Sequence, residues 1–322
     1  MLCRTASELL WMARHIERVD NAARLIDYAH HVALLPERSG KNRVLAQSWS
    51  GALQALGVEQ SFLDKYRNLD EKSFLQYLIF DQANPASIWS CLYAARESGR
   101  AQRGAISADM YQDINSSWLR VRDMDWDGLN AEGLPQFLDW VKRRAAAFRG
   151  ITLGTLVRDD AYVFLQIGTF IERADYTLRL LDMYFGETGT QPSAEADSVA
   201  EYYRLSALLQ AISAFETYRK IYRDTVSPAR VAEMLVLRSD VPRSLAACTT
   251  AIYKSVEGLA HGKAPELVRQ CGALASELRY GDMESLLASG TSSFLKSVMS
   301  RLHAISDGIT EHFIEPTDIV AS

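Results

Sequence analysis

Near the start of the chain, apolar residues recur at the spacing of a single helical face. Met12, Ile16, Val19, Ala23 and Ile26 follow one another by three or four residues, which at about 100° per residue sets them in a narrow stripe facing a core. Glu17, Asp20, Arg24 and Asp27 run beside it at spacings of three, four and three and make a charged stripe, while Arg18 and Leu25 point to a different side. The pattern returns further on. His15 to Asp27 reads HIERVDNAARLID and Phe170 to Asp182 reads FIERADYTLRLLD, so Glu172, Asp175, Arg179 and Asp182 repeat the charged stripe behind a second Glu-Arg pair that ends in Arg173.

A second echo aligns Leu78 to Leu92 (LIFDQANPASIWSCL) with Leu235 to Thr249 (LVLRSDVPRSLAACT), placing Pro85 opposite Pro242 and Cys91 opposite Cys248. The offsets of 155 and 157 residues predict duplication of one unit, with repeats at 1–157 and 158–322 packed as one body about a pseudo-twofold axis. Long segments rich in Ala, Leu, Glu and Arg and poor in Gly and Pro predict helices at 6–34, 86–104, 132–158, 160–185, 197–223, 242–260, 264–280 and 291–314. Shorter helices are predicted at 41–56, 59–66, 71–80, 107–122 and 227–237, and almost nothing alternates like a strand. The expected fold is therefore all-α, a pseudo-twofold bundle of at least ten helices in which 6–34 is equivalent to 160–185. Asn84-Pro85 and Val241-Pro242 fit helix starts. The breakers in 186–193 make the best linker, and the repeat boundary near 155–158 falls in continuous helical sequence, which argues for an intertwined body.

Composition narrows the function classes. The 322 residues, 48% hydrophobic, are ample for a large core. Thirty-five Lys and Arg against 40 Asp and Glu give a net charge of -5, so no general positive field is available for nucleic acid. Trp11, Trp49, Trp89, Trp118, Trp126 and Trp140 are accordingly read as packing elements and not as a base-stacking platform. Cys3, Cys91, Cys248 and Cys271 have neither zinc-site spacing nor the density of a disulfide scaffold and read as reduced, mostly buried thiols. The N-terminus lacks a secretion signal's apolar core and no stretch has the roughly 20 apolar residues of a transmembrane segment, so a cytoplasmic location is expected.

The charged stripes admit three readings. Asp20 with Arg24 and Asp175 with Arg179 are i,i+4 pairs suited to stabilising helices or stapling the halves together. If the two helices cross, four to six carboxylates would converge on two arginines, and a ligand, cation or partner group would offset the excess negative charge. A dinuclear metal site is a narrower version. Mg²⁺ suits the oxygen donors, but the helical carboxylate-His spacing is absent and His15 is replaced by Phe170 in the second repeat, so no cofactor is assigned. Arg96 and Arg100, with Arg103, form a basic helical face beside Glu97, suited to a phosphate, a carboxylate or an acidic partner surface. There is no HExxH, GxSxG or glycine-rich phosphate loop among the motifs. The competing enzymatic reading assembles an acidic site, assisted by a divalent metal, from Glu17, Asp20, Glu172 and Asp175, with Arg24 and Arg179 holding an anionic substrate.

The chain resembles the bacterial alpha-E family, helical domains marked by a Glu-Arg signature. The resemblance rests on Trp11 to Ile26 (WMARHIERVDNAARLI), Asn84-Pro85-Ala86-Ser87-Ile88, Ala95-Arg96-Glu97-Ser98-Gly99-Arg100 and Ile171-Glu172-Arg173-Ala174-Asp175. Where the family often has Asn-Ala between the Glu and Arg of the third segment, this chain has Ser98-Gly99. Members are found beside, or fused to, circularly permuted ATP-grasp proteins, often with transglutaminase-like proteins. The resemblance implies a peptide or amide ligation system in which the ATP-grasp partner activates a carboxylate. This chain would be a noncatalytic accessory that orients a peptide or amino-acid-like ligand or the partner itself.

Overall fold

The computed structural model describes residues 2–33, 41–186, 198–287 and 290–315, and among them the chain is all-α, without strands. The helices are α1 (Cys3–Ala33), α2 (Lys41–Leu56), α3 (Glu59–Lys65), α4 (Glu71–Leu75), α5 (Ile88–Ala101), α6 (Ala108–Arg122), α7 (Trp126–Glu132) and α8 (Leu134–Thr155). They continue as α9 (Asp160–Phe185), α10 (Ser198–Ala211), α11 (Phe215–Tyr222), α12 (Pro228–Leu237), α13 (Leu245–Ala260), α14 (Pro265–Tyr280), α15 (Met283–Leu286) and α16 (Thr291–Ile309). Two π-helical turns, Gln76–Phe80 and Thr310–Ile314, extend α4 and α16 to the ends expected from the sequence.

α1 runs for 31 residues because no Gly or Pro interrupts it, and its predicted apolar stripe of Met12, Ile16, Val19, Ala23 and Ile26 is wholly buried. Each large side chain buried in this way contributes about 1.5–3 kcal/mol. The same pattern of packing occurs twice. α1 packs on α5 and α8, α5 on α6, and α6 on α8; α9 packs on α13 and α16, α13 on α14, and α14 on α16. The two groups are joined where α1 lies along α9, and they interlock, since α2 reaches α9 and α10 reaches back to α1. The contact of α1 with α9 is close at Gly168, where a Cβ would lie 2.3 Å from the backbone oxygen of Leu10 and 3.1 Å from the Cβ of Ala13.

Several boundaries differ from the sequence reading. The chain is not helical through 155–158: α8 stops at Thr155, Leu156 is extended, and Asp159 caps α9 by accepting from the amides of Ala161 and Tyr162. The predicted helix at 197–223 is two helices, divided by Ser213 in the left-handed region (φ 58°), which lets the amide of Ala214 reach back to the Leu209 carbonyl at 2.7 Å. Pro85 and Pro242 do not open their helices. They sit in the preceding turns, and Ser87 and Ser244, two residues on, cap α5 and α13 by accepting from the amides of Ser90 and Ala247. The short helices α7 and α15 escaped the sequence reading, since α7 carries Gly128 and α15 is a single turn. The linker expected at 186–193 lies outside the described residues apart from Gly186.

Candidate functional site

The charged edges of α1 and α9 meet, and their two Ile-Glu-Arg triplets exchange ion pairs. Arg173 donates to both oxygens of Glu17, from Nε at 3.1 Å and from Nη2 at 3.0 Å, while Arg18 Nε donates to Glu172 at 2.8 Å. Arg14, one turn before Arg18, holds the other oxygen of Glu172 at 2.9 Å. Arg18 therefore belongs to the shared edge, although helical spacing alone set it on another side.

Around Glu17 and Asp20, both fully buried, the arginines come from four directions. Arg149 of α8 donates from Nη1 to Glu17 at 2.9 Å and to Asp20 at 3.3 Å. Arg243, in the turn before α13, donates from Nη2 to Asp20 at 2.6 Å and to Glu17 at 3.4 Å, and from Nη1 to Asn21 at 3.2 Å. Arg24 Nε stands 3.0 Å from Asp20 Oδ1 as an ion contact outside hydrogen-bond geometry. With Arg173, four guanidinium groups surround two carboxylates.

The second junction is built around Glu172 and Asp175. Besides Arg14 and Arg18 it contains Arg179, which donates to Asp175 at 2.6 Å, and His303 of α16, whose Nε2 lies 3.0 Å from the same carboxylate. Arg14 and Arg18 also lie over the ring of Trp11, 4.6 and 5.4 Å from its centre. Beside this junction, a cleft of about 520 Å³ between α9 and α16 is lined by Asp182, Lys296, Met299, Ser300, His303 and Asp307, among others.

The sequence reading expected an excess of negative charge, and the structure reverses it. Arg149 and Arg243 join from α8 and from the turn before α13, and Arg14 from the preceding turn of α1, so at both junctions arginines outnumber carboxylates. Arg243 stands where the other half of the Pro85/Pro242 echo has Ala86, a difference visible in sequence. Arg149 carried no local signal. Arg96 and Arg100 are not part of either junction: they bracket Glu97, with Arg96 also donating to Asn115 at 3.2 Å, as in a solvated helix face. Among the described residues, no three His, Cys, Asp or Glu side chains are grouped to hold a metal ion. The oxygens of Glu17 and Asp20 face guanidinium groups that would repel a dication.

These surroundings fix protonation. Burial pushes the Glu17 carboxyl upward, but Arg173, Arg243 and Arg149 outweigh it and hold the group at about 2, against an ordinary 4.5. Burial likewise opposes ionisation of Asp175, and Arg179 and His303 keep its carboxyl below the usual range. His15, desolvated and flanked by Arg18 and Arg14, is lowered to about 4 and is neutral near pH 7. A carboxyl depressed in the folded state contributes stability that is complete above its unfolded pKa and is lost as pH falls through the folded one. Unfolding titrations of the wild type should accordingly show a loss of stability between about pH 4.5 and 2 that is smaller in Glu17→Gln, whereas parallel pH profiles would contradict the pinning of Glu17.

Cys91 and Cys248 lie against the two junctions, and burial pushes both thiols up to about 12. Each points its sulfur at the carbonyl of the preceding proline, Pro85 at 3.3 Å and Pro242 at 3.9 Å. Cys271 is buried and also raised to about 12, whereas Cys3 is exposed. A colorimetric thiol titration should find one fast group in the native protein and three more after denaturation, while rapid native labelling of Cys91 or Cys248 would contradict this burial.

The model of the family Alpha-E, "a predicted alpha-helical domain with a conserved ER motif", matches residues 1–314. An uncharacterized protein of Mycobacterium tuberculosis is 24% identical over 329 residues, covering 94% of this chain and 35% of the relative. An uncharacterized protein of Mycobacterium bovis is 24% identical over 327 residues with the same coverage. The chain thus spans about a third of the length of the curated relatives it matches. No solved structure matches it. Among the described residues, no helix is long and apolar enough to cross a membrane. With nearly the whole chain matched and Glu-Arg pairs at both junctions of the α1–α9 contact, the protein belongs to the Alpha-E family.

Proposed function

We propose that this chain is a noncatalytic accessory or substrate-presenting component of an ATP-grasp peptide or amide ligase system in the cytoplasm. The observation that carries the noncatalytic part is the state of Glu17. A general acid or base works best with a pKa near the operating pH, whereas Glu17 is enclosed, accepts from three arginines and is held at about 2. The motif carboxylates act as counter-ions that fix α1 against α9. The partner, a circularly permuted ATP-grasp protein with a transglutaminase-like protein alongside, rests on the family resemblance. The length of the mycobacterial relatives fits a segment that works beside other parts of a larger assembly.

Repeats at 1–157 and 158–322 are part of the same reading, supported by the matched packing of α1, α5, α6 and α8 with α9, α13, α14 and α16. The cleft between α9 and α16 has the size of a small-ligand site and could receive a peptide or amino-acid-like substrate. The test is copurification of the tagged full chain with the encoded ATP-grasp protein, followed by ligation assays with and without the chain. Stable association and a change in ligation rate are expected. No association, and identical rates with and without the chain, would overturn the assignment.

A further inference from the structure

The junction around Glu17 and Asp20 has more positive charge than its own carboxylates offset. Arg24, Arg149, Arg173 and Arg243 meet two acids, which leaves two positive charges in a largely desolvated place. Asp27, the next carboxylate along α1, does not make up the difference, because it is engaged by Lys142 at 3.1 Å and by His31 at 3.2 Å. A guanidinium presents five N–H groups, and this cluster leaves several of them uncommitted. Arg149 reaches the acids through Nη1 alone, whereas the enclosed Arg24 Nε faces Asp20 Oδ1 at 3.0 Å outside hydrogen-bond geometry, and that oxygen likewise has no hydrogen-bond partner.

Two further features suit an anion. The hydroxyl of Tyr176, close to Arg243, Arg24 and Asp20, is enclosed without a partner, and burial keeps it protonated, so it is a neutral donor. Arg243 immediately precedes Ser244, the cap of the 16-residue α13, so the positive end of that helix dipole points at the same region. Exposure is graded, with the side chains of Arg243 at 8%, Arg24 at 15% and Arg149 at 24%, which marks Arg149 as the side of entry.

We propose that the Glu17–Asp20 junction is an oxyanion-binding site, taking a carboxylate or phosphate group through the N–H groups of Arg149 that the acids do not use. Arg24, Arg173 and Arg243 hold the carboxylates behind it. Only the assignment of that oxyanion to a substrate rests on the accessory role proposed above; the binding itself needs no partner.

The test is a thermal-shift and calorimetric titration of the isolated full chain with sodium phosphate, and separately with sodium acetate, against sodium chloride at matched ionic strength. A saturable stabilisation beyond that given by chloride is expected, weakened at least about tenfold in Arg149→Gln and retained in Arg269→Gln, which alters an exposed pair on α14. Arg149→Lys, which keeps the charge and loses the planar donor fork, is expected to fall between. Response to phosphate alone assigns a phosphoryl group, response to acetate alone a carboxylate, and response to both the shared chemistry. A wild-type response no greater than that to chloride, or an undiminished response in folded Arg149→Gln, would overturn the proposal. Neither result would depend on whether the ATP-grasp protein binds.

Discussion

Replacing Glu17 by alanine is expected to destabilise the fold by about 3–5 kcal/mol, the cost typical of leaving buried charges without their partner. Glu17 is 1% exposed and accepts from Arg149, Arg173 and Arg243; its removal would strand Arg173 and leave the other two sharing Asp20. Glu172→Ala should cost less, about 1–3 kcal/mol, although the residue occupies the matching place in the other Glu-Arg pair. Its partners Arg14 and Arg18 are more exposed, at 15% and 29%, and both keep Trp11 as a stacking surface. Denaturant unfolding of the two variants and the wild type would measure the difference. Equal and small effects would show that the two pairs are ordinary surface ion pairs.

Gly168→Ala should be the most damaging of the glycine-to-alanine changes inside helices. Alanine normally stabilises a helix interior relative to glycine by about 0.5–1 kcal/mol. At Gly168 the new methyl would sit 2.3 Å from the backbone oxygen of Leu10, and backbone cannot swing aside like a flexible side chain. α1 and α9 would have to separate, stretching the Glu17–Arg173 and Arg18–Glu172 pairs, so a net loss of about 2–3 kcal/mol or more is expected. Gly150→Ala and Gly258→Ala are controls with the opposite sign, because a Cβ at either position meets nothing within 4 Å. Melting temperatures of the three variants decide the matter. A neutral or stabilising Gly168→Ala would mean that α1 and α9 are less closely packed than described.

The long helices were legible in the sequence because their apolar periodicity is strong and uninterrupted, as in α1 and α9. Most helix starts were legible too, among them those of α2, α3, α9 and α16, but the starts of α5 and α13 were not. Proline marked the turns before α5 and α13, but the caps are Ser87 and Ser244, whose role depends on hydrogen bonds that composition does not show. The split between α10 and α11 depends on Ser213 adopting a left-handed conformation, for which a serine gives little warning.

The site was half legible for a similar reason. Helical spacing correctly placed Glu17 and Asp20 on one edge, and Glu172 and Asp175 on another, but it weighed charge only along those two helices. The sign of the site is set by groups more than a hundred residues away from the carboxylates they meet, such as Arg149 and Arg243 against Asp20. Tertiary packing delivered these groups. A one-helix reading therefore found the acids and mistook the balance.

The assignment of the Glu-Arg signature to counter-ion duty, and not to proton transfer, is tested most directly by the ionisation of Glu17 itself. Carbon-13 NMR of the full chain with labelled glutamate side chains, assigned by comparison with Glu17→Gln, would follow this carboxyl through an acid titration. The signal should keep its ionised position down to about pH 3, moving only near a midpoint of about 2 or with acid unfolding. A midpoint between about pH 5 and 8 in the folded protein, where a general acid or base operates, would contradict the assignment and restore Glu17 as a catalytic group.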